Sequence, residues 1–287
     1  MTALPGRQPP LPRPPATVIR FDAADPQRRA RAVHDLADGI ARIRLAWALA
    51  RNDLRNRYRG SVLGPLWLTL STSVMLAALG VLYSTLFRIP VGEYLPWLAV
   101  SLIVWNVIAG MVADSCHCLI QAEGVIRQIP LPYSTHALRC VLRNAFTAAH
   151  NLPLIAVVFA IFGVLPGVEA LLVIPGLALL AINALAGALL LGIICARFRD
   201  VVQIVTSLMQ IGFFVTPVIW KPGLLGDWAM IMPLNPFYAL METVRAPLLE
   251  GGGGVVVWVA ALLWTAAHAA IAFAFFVRFR GRVAFWV

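Results

Sequence analysis

The chain has 287 residues, of which 60% are hydrophobic and 13% are charged, and its mean hydropathy is +0.82. A water-soluble domain of this length would carry about 25% charged residues, so the composition excludes an ordinary soluble fold and indicates a membrane protein. The formal net charge of +10 comes from Arg, which supplies 22 of the 23 basic residues. Because these Arg residues lie between apolar runs and at the chain ends, they indicate a membrane surface rather than nucleic acid as the partner.

The N-terminal part of the chain changes character at Ile40. Residues 1–16 are rich in proline and residues 17–38 are polar, so residues 1–39 are predicted to form a disordered cytoplasmic tail. From Ile40 to Tyr58 apolar residues recur at helical spacing between flanking Arg residues, which predicts an amphipathic helix in the membrane interface. We expect no cleavable signal peptide, because residues 1–40 contain no apolar run.

Six apolar segments then have, or approach, the roughly 20 residues that a helix needs to cross the bilayer. The predicted spans are residues 62–87, 95–113, 136–162, 170–195, 201–219 and 255–277. With the N-terminus inside, the cytoplasmic side receives 20 basic residues and the outer side receives Arg88, Lys221 and Arg245. Basic residues favour the cytoplasmic side, so the sequence predicts an all-α membrane protein with six transmembrane helices and both termini in the cytoplasm.

Two connections between spans are predicted to contain helices. Between spans two and three, residues 117–129 indicate a short, half-polar cytoplasmic helix that is stopped by Pro130 and Pro132. Between spans five and six, residues 220–254 are too apolar for a solvated loop and are interrupted by four prolines. This second connection is therefore predicted to form a re-entrant helical hairpin on the outer side, buried by protein.

Common catalytic motifs are missing from the sequence. A phosphate-binding loop of the Walker A type needs a Lys after its second Gly, and the only Lys of the chain, Lys221, is followed by proline. The usual hydrolase signatures are absent as well. The Cys116-His117-Cys118 run has the wrong spacing for zinc, so we predict no metal. Asp114 and His117 are close enough in sequence for an acid–base pair, but two polar residues at a helix end explain them more simply.

Span three carries an ionisable face. His136, Arg139, Arg143 and His150 fall roughly on one side of the predicted helix, and ionisable groups in a membrane usually face a partner or a water-filled path. No carboxylate on span three matches the charge of Arg143. Arg binds phosphate through two parallel hydrogen bonds, but Arg near a helix end can also extend to the interface without a ligand. For Arg143 the sequence leaves both interpretations open.

Four ordered motifs resemble the permeases of type-2 ABC exporters of polysaccharides, which include O-antigen, capsule and teichoic-acid permeases. The first is residues 57–67 (RYRGSVLGPLW) at the entry to span one, and the second is residues 129–132 (IPLP) after the short cytoplasmic helix. The third is residues 196–200 (ARFRD), and the fourth is residues 234–237 (LNPF) followed by Arg245. The resemblance covers about residues 40–282, and the proline-rich residues 1–16 fall outside the pattern.

This resemblance implies that residues 40–287 form an ABC type-2 transmembrane domain that works as half of a transporter. Two copies would pair around a channel in the bacterial inner membrane. Each copy would carry a separate ATPase subunit that binds ATP and Mg²⁺, so the chain itself would hold no cofactor and would not be an enzyme. The substrate would be a lipid-linked glycan that enters from the inner leaflet. The residues expected to couple with the ATPase are Gln121, Glu123, Gly124 and Arg127.

Basic and aromatic residues are expected along the substrate path of such a transporter. Arg59, Arg139 and Arg143 would receive the phosphate of the lipid carrier at the inner leaflet. The aromatic residues expected to line the glycan channel are Trp67, Trp105, Phe213, Phe214 and Tyr238. Any one of these rings can instead face lipid, as aromatic rings at membrane interfaces do.

Two other functions are compatible with parts of the sequence. A type-2 ABC exporter of lipids or drugs would tend to carry a large extracellular domain or to differ at residues 57–67, and neither feature is present. An integral-membrane transferase would need several Asp or His on one membrane face, where Asp114 and His117 alone are available. The sequence therefore favours the polysaccharide exporter.

Overall fold

The computed structural model describes residues 27–61, 64 and 66–287, and all regular secondary structure within them is helical. The α-helices are α1 (Arg28–Ala41), α2 (Ile43–Arg57), α3 (Leu66–Phe87), α4 (Val91–His117), α5 (Glu123–Gln128), α6 (Tyr133–Phe162), α7 (Val173–Arg197), α8 (Val201–Val215), α9 (Pro236–Leu249), α10 (Val255–Phe279) and α11 (Val283–Trp286). Shorter 3₁₀ segments cover Val168–Leu172, Pro222–Leu234 and Arg280–Arg282. The predicted all-α fold is confirmed.

Five helical stretches are long and apolar enough to cross a membrane. They are Leu66–Phe87, Val91–His117, Tyr133–Phe162, Val168–Arg197 and Val255–Trp286, and they match predicted spans one, two, three, four and six. The beginning of predicted span one, at residues 62, 63 and 65, lies outside the described residues. The predicted fifth span corresponds to α8, which is apolar but has 15 residues. At 1.5 Å per residue α8 is about 22 Å long, shorter than the bilayer core of about 30 Å.

Helix α4 lies at the centre of the bundle, where it packs against α3, α6, α7, α8 and α9. Residues 96–105 of α4 are all buried, which is expected for a helix that is apolar on every side. By contrast, α3 leaves most of its apolar side chains exposed, and no residue of α8 is fully buried. These two helices therefore present apolar surfaces at the margin of the bundle.

The N-terminal region is more ordered than predicted. Residues 28–39, which were assigned to a disordered tail, form most of α1, so that assignment is wrong for them. The amphipathic helix predicted from Ile40 is divided at Arg42 into α1 and α2. The rest of the predicted tail, residues 1–26, lies outside the described residues. Seven of the 14 residues of α1 are apolar, but four of these are Ala, so its apolar face is weaker in the sequence than that of a membrane span.

The order of α1 comes from one buried carboxylate. Asp35 accepts hydrogen bonds from the backbone N–H groups of Tyr133 and Ser134, at 3.2 and 3.0 Å, and so caps the first turn of α6. The Nε of Arg280, beyond the end of α10, donates to the same carboxylate at 2.6 Å. Gly39 allows α1 to approach closely, because a Cβ there would overlap the Ser134 side chain. Asp35 therefore ties α1 to the ends of α6 and α10.

The region predicted as a re-entrant hairpin is helical, but only α9 is buried by protein. Most residues of the Pro222–Leu234 segment are exposed and none is fully buried, so the predicted burial is wrong for that segment. The region consists of the Pro222–Leu234 segment and α9, which is capped by the Asn235 side chain accepting from the N–H groups of Phe237 and Tyr238. Residues 238–247 of α9 are all buried, and α9 packs against α4, α7 and α10. With 14 residues, α9 is about 21 Å long and too short to cross the bilayer.

Candidate functional site

A cluster of charged side chains joins α2, α4 and α6 at one end of the bundle. This charge cluster consists of Asp53, Arg57, Asp114, Arg139 and Arg143. In it, Arg139 donates from Nε and Nη2 to the two carboxylate oxygens of Asp53, at 2.6 and 2.5 Å. Such a paired arrangement is the strongest form of the Arg–carboxylate interaction, so α2 is firmly attached to α6.

Arg143 is the most enclosed member of the charge cluster, with 8% of its side chain exposed. Its Nη2 lies 3.0 Å from Oδ2 of Asp114, and its Nη1 lies 3.5 Å from Oδ2 of Asp53. Nη1 also donates to the Gln121 side-chain oxygen at 3.2 Å. Although span three has no carboxylate, the charge of Arg143 is therefore matched within the chain, since α2 and α4 supply two. Asn144 donates to Asp114 at 2.9 Å and completes the network.

The charge cluster keeps an excess of positive charge, because three Arg residues face two Asp residues. Arg57 contacts Asp114 at the long distance of 3.8 Å, and 45% of its side chain is exposed. Two residues further along, Arg59 is exposed and has no ion pair within the described part of the chain. The positive charge that the carboxylates do not match is therefore on the exposed Arg57, with Arg59 two residues further along the chain, while Arg139 and Arg143 are engaged by carboxylates.

The structure gives no support to an acid–base pair of Asp114 and His117. Asp114 is occupied by Arg143 and Asn144, and Nδ1 of His117 lies 3.0 Å from the carbonyl oxygen of Ala113, one turn earlier in α4. In the described part of the chain, no three His, Cys, Asp or Glu side chains converge as they would around a metal ion.

The four residues predicted to couple with an ATPase lie in two different environments. Gln121 turns toward the bundle and bonds to Arg143. Glu123 and Arg127 are on the surface of α5, where they form an ion pair of 2.8 Å one turn apart, and Gly124 has open space around it. Arg127 also donates to the backbone carbonyl of Val287 at 2.6 Å. The short helix was predicted correctly, and through Gln121 its loop touches the charge cluster.

Three of the five predicted channel aromatics lie together. Trp105 is buried and packs edge-to-face against Phe213, with ring centroids 5.8 Å apart, and Phe213 packs against Phe214 at 5.3 Å. Phe237 joins this group from α9, 5.7 Å from Trp105, and was not predicted. The other two predicted aromatics are elsewhere. Trp67 is exposed near the start of α3, and Tyr238 is buried in α9.

A second buried charge, Arg245, was noted in the sequence as an outer basic residue and as part of the fourth motif, but its burial was not predicted. Its guanidinium is fully buried, forms an ion pair with Glu242 and lies 4.5 Å above the ring of Trp97. It also donates to the Ser101 hydroxyl at 2.9 Å and to the Pro217 carbonyl at 2.8 Å. Arg245 thus pins α9 to α4 and to the connection after α8. Its signal in the sequence is a charged pair, i and i+3, inside an apolar stretch.

These features define a multi-pass integral membrane protein in which buried charged residues link the helices. Residues 44–249 match the family model described as ABC-2 type transporter. The match covers most of the chain, from α2 through α9, so the chain belongs to the ABC-2 type transporter family. The resemblance found in the sequence is confirmed.

Three relatives are informative about the branch of this family. The chain is 26% identical over 207 residues to the O-antigen export system permease protein RfbA of Myxococcus xanthus, covering 71% of this chain and 79% of the relative. It is 21% identical over 205 residues to each of two O-antigen export system permease proteins RfbA of Klebsiella pneumoniae, with the same coverage.

Proposed function

We propose that this chain is the permease subunit of an ATP-driven exporter that moves a lipid-linked polysaccharide, an O-antigen or similar glycan, across the bacterial inner membrane. The observation that carries this proposal is the extent of the similarity. The matched relatives are O-antigen export permeases, and the similarity extends over 79% of their length. A transport role also fits the absence of an acid–base pair at Asp114 and His117.

The proposed topology has six spans with both termini in the cytoplasm. In it α8 crosses the membrane together with residues 216–219, and the Pro222–Leu234 segment with α9 forms a re-entrant hairpin from the outer side. Reporter fusions after Gly92 and Gly252 should then mark the outer side, and fusions after Glu123 and Arg282 the cytoplasm. A cytoplasmic signal at Gly252 would contradict the six-span topology.

The proposed assembly contains two copies of the chain and a separate ATPase subunit that binds ATP and Mg²⁺. The exposed apolar faces of α3 and α8 supply surfaces for a second copy, and α5 supplies a polar surface for the ATPase, on which Glu123, Gly124 and Arg127 would make contact. Motion of α5 would reach the charge cluster through Gln121. The chain purified without its partner should show no ATPase activity, whereas robust turnover by the chain alone would contradict this assembly.

The phosphate of the lipid carrier is proposed to bind beside the charge cluster. Arg59 and Arg57 offer exposed guanidinium groups, so the phosphate would meet them first. Arg139 and Arg143 would then contribute by exchanging part of their contact with Asp53 and Asp114 for the phosphate. A charge-assisted hydrogen bond contributes about 1.5–3 kcal/mol, so Arg59→Ala should weaken capture roughly ten- to a hundredfold. Normal export by Arg59→Ala would contradict this role.

The aromatic group of Trp105, Phe213 and Phe214 is proposed to border the glycan path, with Trp67 and Tyr238 at other levels of the channel. Stacking on sugar rings would use Phe214 and Trp67, because their rings are exposed (65% and 58%). Trp105 and Tyr238 are buried, so their contribution would be to hold the neighbouring rings in place.

The deciding experiment is export in cells. A strain that lacks the chain should accumulate lipid-linked glycan in the cytoplasm and lose surface glycan, and the wild-type chain should restore it. Surface glycan that is unchanged in the deletion strain would contradict the proposal. Restored resistance to drugs, or a changed lipid distribution without any change in glycan, would instead favour an exporter of small apolar substrates.

A further inference from the structure

A cavity of about 920 Å³ lies between α4, α7, α8 and α10, is bounded on one side by residues within 231–237 and by Leu240, and is distinct from the charge cluster. Its wall includes Leu190 and Leu191 of α7, Leu208 and Ile211 of α8, and Ile271 of α10. Leu208 and Ile211 are 58% and 60% exposed, although they face other helices of the same chain across this space. The cavity therefore separates part of α8 from α7 and α10, while α8 still packs against α4.

The lining of the cavity is apolar. Among its lining residues in the described chain, none carries a carboxylate, ammonium or guanidinium group. Its few polar side chains largely satisfy one another, since Asn183 lies 2.9 Å from Nδ1 of His268 and Asn235 donates to the Thr216 hydroxyl at 3.0 Å. The cavity is partly open to the surroundings of the protein, and its apolar walls offer no partners to ordered water. A sugar would lose its hydrogen bonds there, so the chemistry of the lining fits an aliphatic chain.

The dimensions of the cavity fit one leaflet of a bilayer. Along α7 the lining residues run from Leu180 to Leu191, which is a rise of about 16 Å and about half of the ~30 Å hydrocarbon core. The lining side chains recur on one face of α7. That face continues for two turns beyond Leu190 to Arg197 at the end of the helix.

The turn after this face is basic and exposed. Arg197 lies near the rings of Phe198 and Trp286, at 5.3 and 5.9 Å, and Arg199 follows without an ion pair in the described residues. Asp200 reduces the net charge of this turn to +1, counting Arg197 and Arg199 against it. An apolar cavity about one leaflet deep, on the helix face that leads two turns further to the basic turn, matches a lipid with one acyl chain inserted and a phosphate at the surface.

We propose that this cavity binds an acyl chain of a resident phospholipid from the inner leaflet, whose phosphate lies at Arg197 and Arg199. The proposal rests on the proposed topology, which places this turn on the cytoplasmic side. The transported carrier is proposed to bind at the charge cluster on α2, α4 and α6, which does not line this cavity. The lipid in the cavity is therefore a second lipid, distinct from the carrier. The acyl chain fills the space behind α8 and sets the distance of α8 from α7 and α10.

The test uses the full chain with its co-expressed partners in nanodiscs that contain phosphatidylglycerol with a photoreactive group in the middle of the acyl chain. After irradiation, adducts on the wild-type chain should map to Leu208, Ile211 and Ile271. Ala266 and Ala267 provide matched variants, since both are exposed on α10 but only Ala267 lines the cavity. Ala267→Trp should abolish these adducts, whereas Ala266→Trp should leave them unchanged.

Two further variants keep the test decisive. If Ala267→Trp does not assemble, Gly187→Leu serves instead, because a Cβ at Gly187 has ordinary contacts with Ser115 and His268 and a longer side chain extends into the cavity. Arg199→Gln should lower labelling by phosphatidylglycerol more than labelling by a zwitterionic phosphatidylcholine probe, because the second lipid offers no net negative charge to the turn.

Several outcomes would overturn the lipid site. They are equal labelling of the Ala266→Trp and Ala267→Trp variants, adducts confined to the outer faces of the helices, and cavity residues that cross-link to a second copy instead of lipid. Stronger competition by a polyprenyl phosphate than by unlabelled phosphatidylglycerol would assign the cavity to the carrier. If the wild-type chain is not labelled but exports glycan normally, the lipid site alone is refuted. If the chain is labelled normally but its deletion leaves surface glycan unchanged, the proposed function alone is refuted.

Discussion

Asp114→Ala tests whether the charge cluster holds the bundle together. The substitution removes the carboxylate nearest to Arg143, whose side chain is 8% exposed, and also the acceptor of Asn144. The guanidinium is then left with the Asp53 oxygen at 3.5 Å and the Gln121 oxygen at 3.2 Å. It therefore loses its strongest partner but does not become wholly unpaired.

The magnitude follows from this partial compensation. Breaking a buried ion pair by removing one partner costs about 3–5 kcal/mol, and the remaining Asp53 contact should reduce the loss to about 2–3 kcal/mol. For a chain of this size the corresponding decrease in Tm is roughly 4–10 °C. Asp227→Ala is the control, because Asp227 is exposed and has no ion pair in the described residues, so its Tm should stay within about 1–2 °C of wild type.

Thermal unfolding of the purified membrane protein measures both effects, and a second substitution isolates the cause. Arg143→Met removes the charge but keeps an apolar chain of similar length, so Asp114→Ala combined with Arg143→Met should be more stable than Asp114→Ala alone. If the two substitutions are additive within about 0.5 kcal/mol, then Asp114 and Arg143 are not coupled and the account of the charge cluster is refuted.

Three further predictions concern other contacts. Gly39→Ala should destabilise the docking of α1 and make α1 more sensitive to protease, since the new methyl group overlaps Ser134, although the same change at an open helical site stabilises by about 1 kcal/mol. Arg245→Ala should cost about 3–5 kcal/mol and reduce membrane expression, because it leaves Glu242 buried without a counter-ion. Cysteine at Glu123 should cross-link to the ATPase subunit in the assembled transporter.

Each of these predictions has a control. Gly124→Ala places a methyl group in open space and should not increase protease sensitivity. Arg245→Lys keeps a charge near Glu242 but cannot reproduce both remaining hydrogen bonds, so its expression should lie between those of wild type and Arg245→Ala. Cysteine at Gly92, on the proposed outer side, should give no cross-link to the ATPase. A cross-link at Gly92 with none at Glu123 would contradict the proposed orientation.

The long apolar helices could be predicted from the sequence because their signal is local. The span expected at residues 255–277 is α10, Val255–Phe279, and the span expected at residues 136–162 is α6, Tyr133–Phe162. The short α8 was expected to be longer, because residues 216–219 continue its apolar run although the helix ends at Val215. Residues 216–219 are therefore mostly apolar but are not part of the helix.

The polar contacts could not be predicted, because they join residues far apart in the chain. Arg139 and Asp53 are separated by 86 positions, and Arg143 and Asp114 by 29. The sequence shows that α2 is rich in Arg and that α6 has a basic face. It does not show that Asp53 of α2 contacts both Arg139 and Arg143 of α6. The scarcity of acids, 13 in 287 residues, was the available signal that each buried one has a specific partner.

The contacts of Asp35 determine when the cytoplasmic end of the proposed topology can be completed during biogenesis. The Asp35 carboxylate meets Arg280 across 245 positions of chain, so α1 is synthesised long before its last counter-ion exists. During insertion of the first spans, this acid can be enclosed only against the start of α6. Maturation at this end of the molecule is therefore completed after the final hydrophobic segment has entered the bilayer. A chain truncated before Arg280 would have its earlier spans in place and its first helix held against α6 alone.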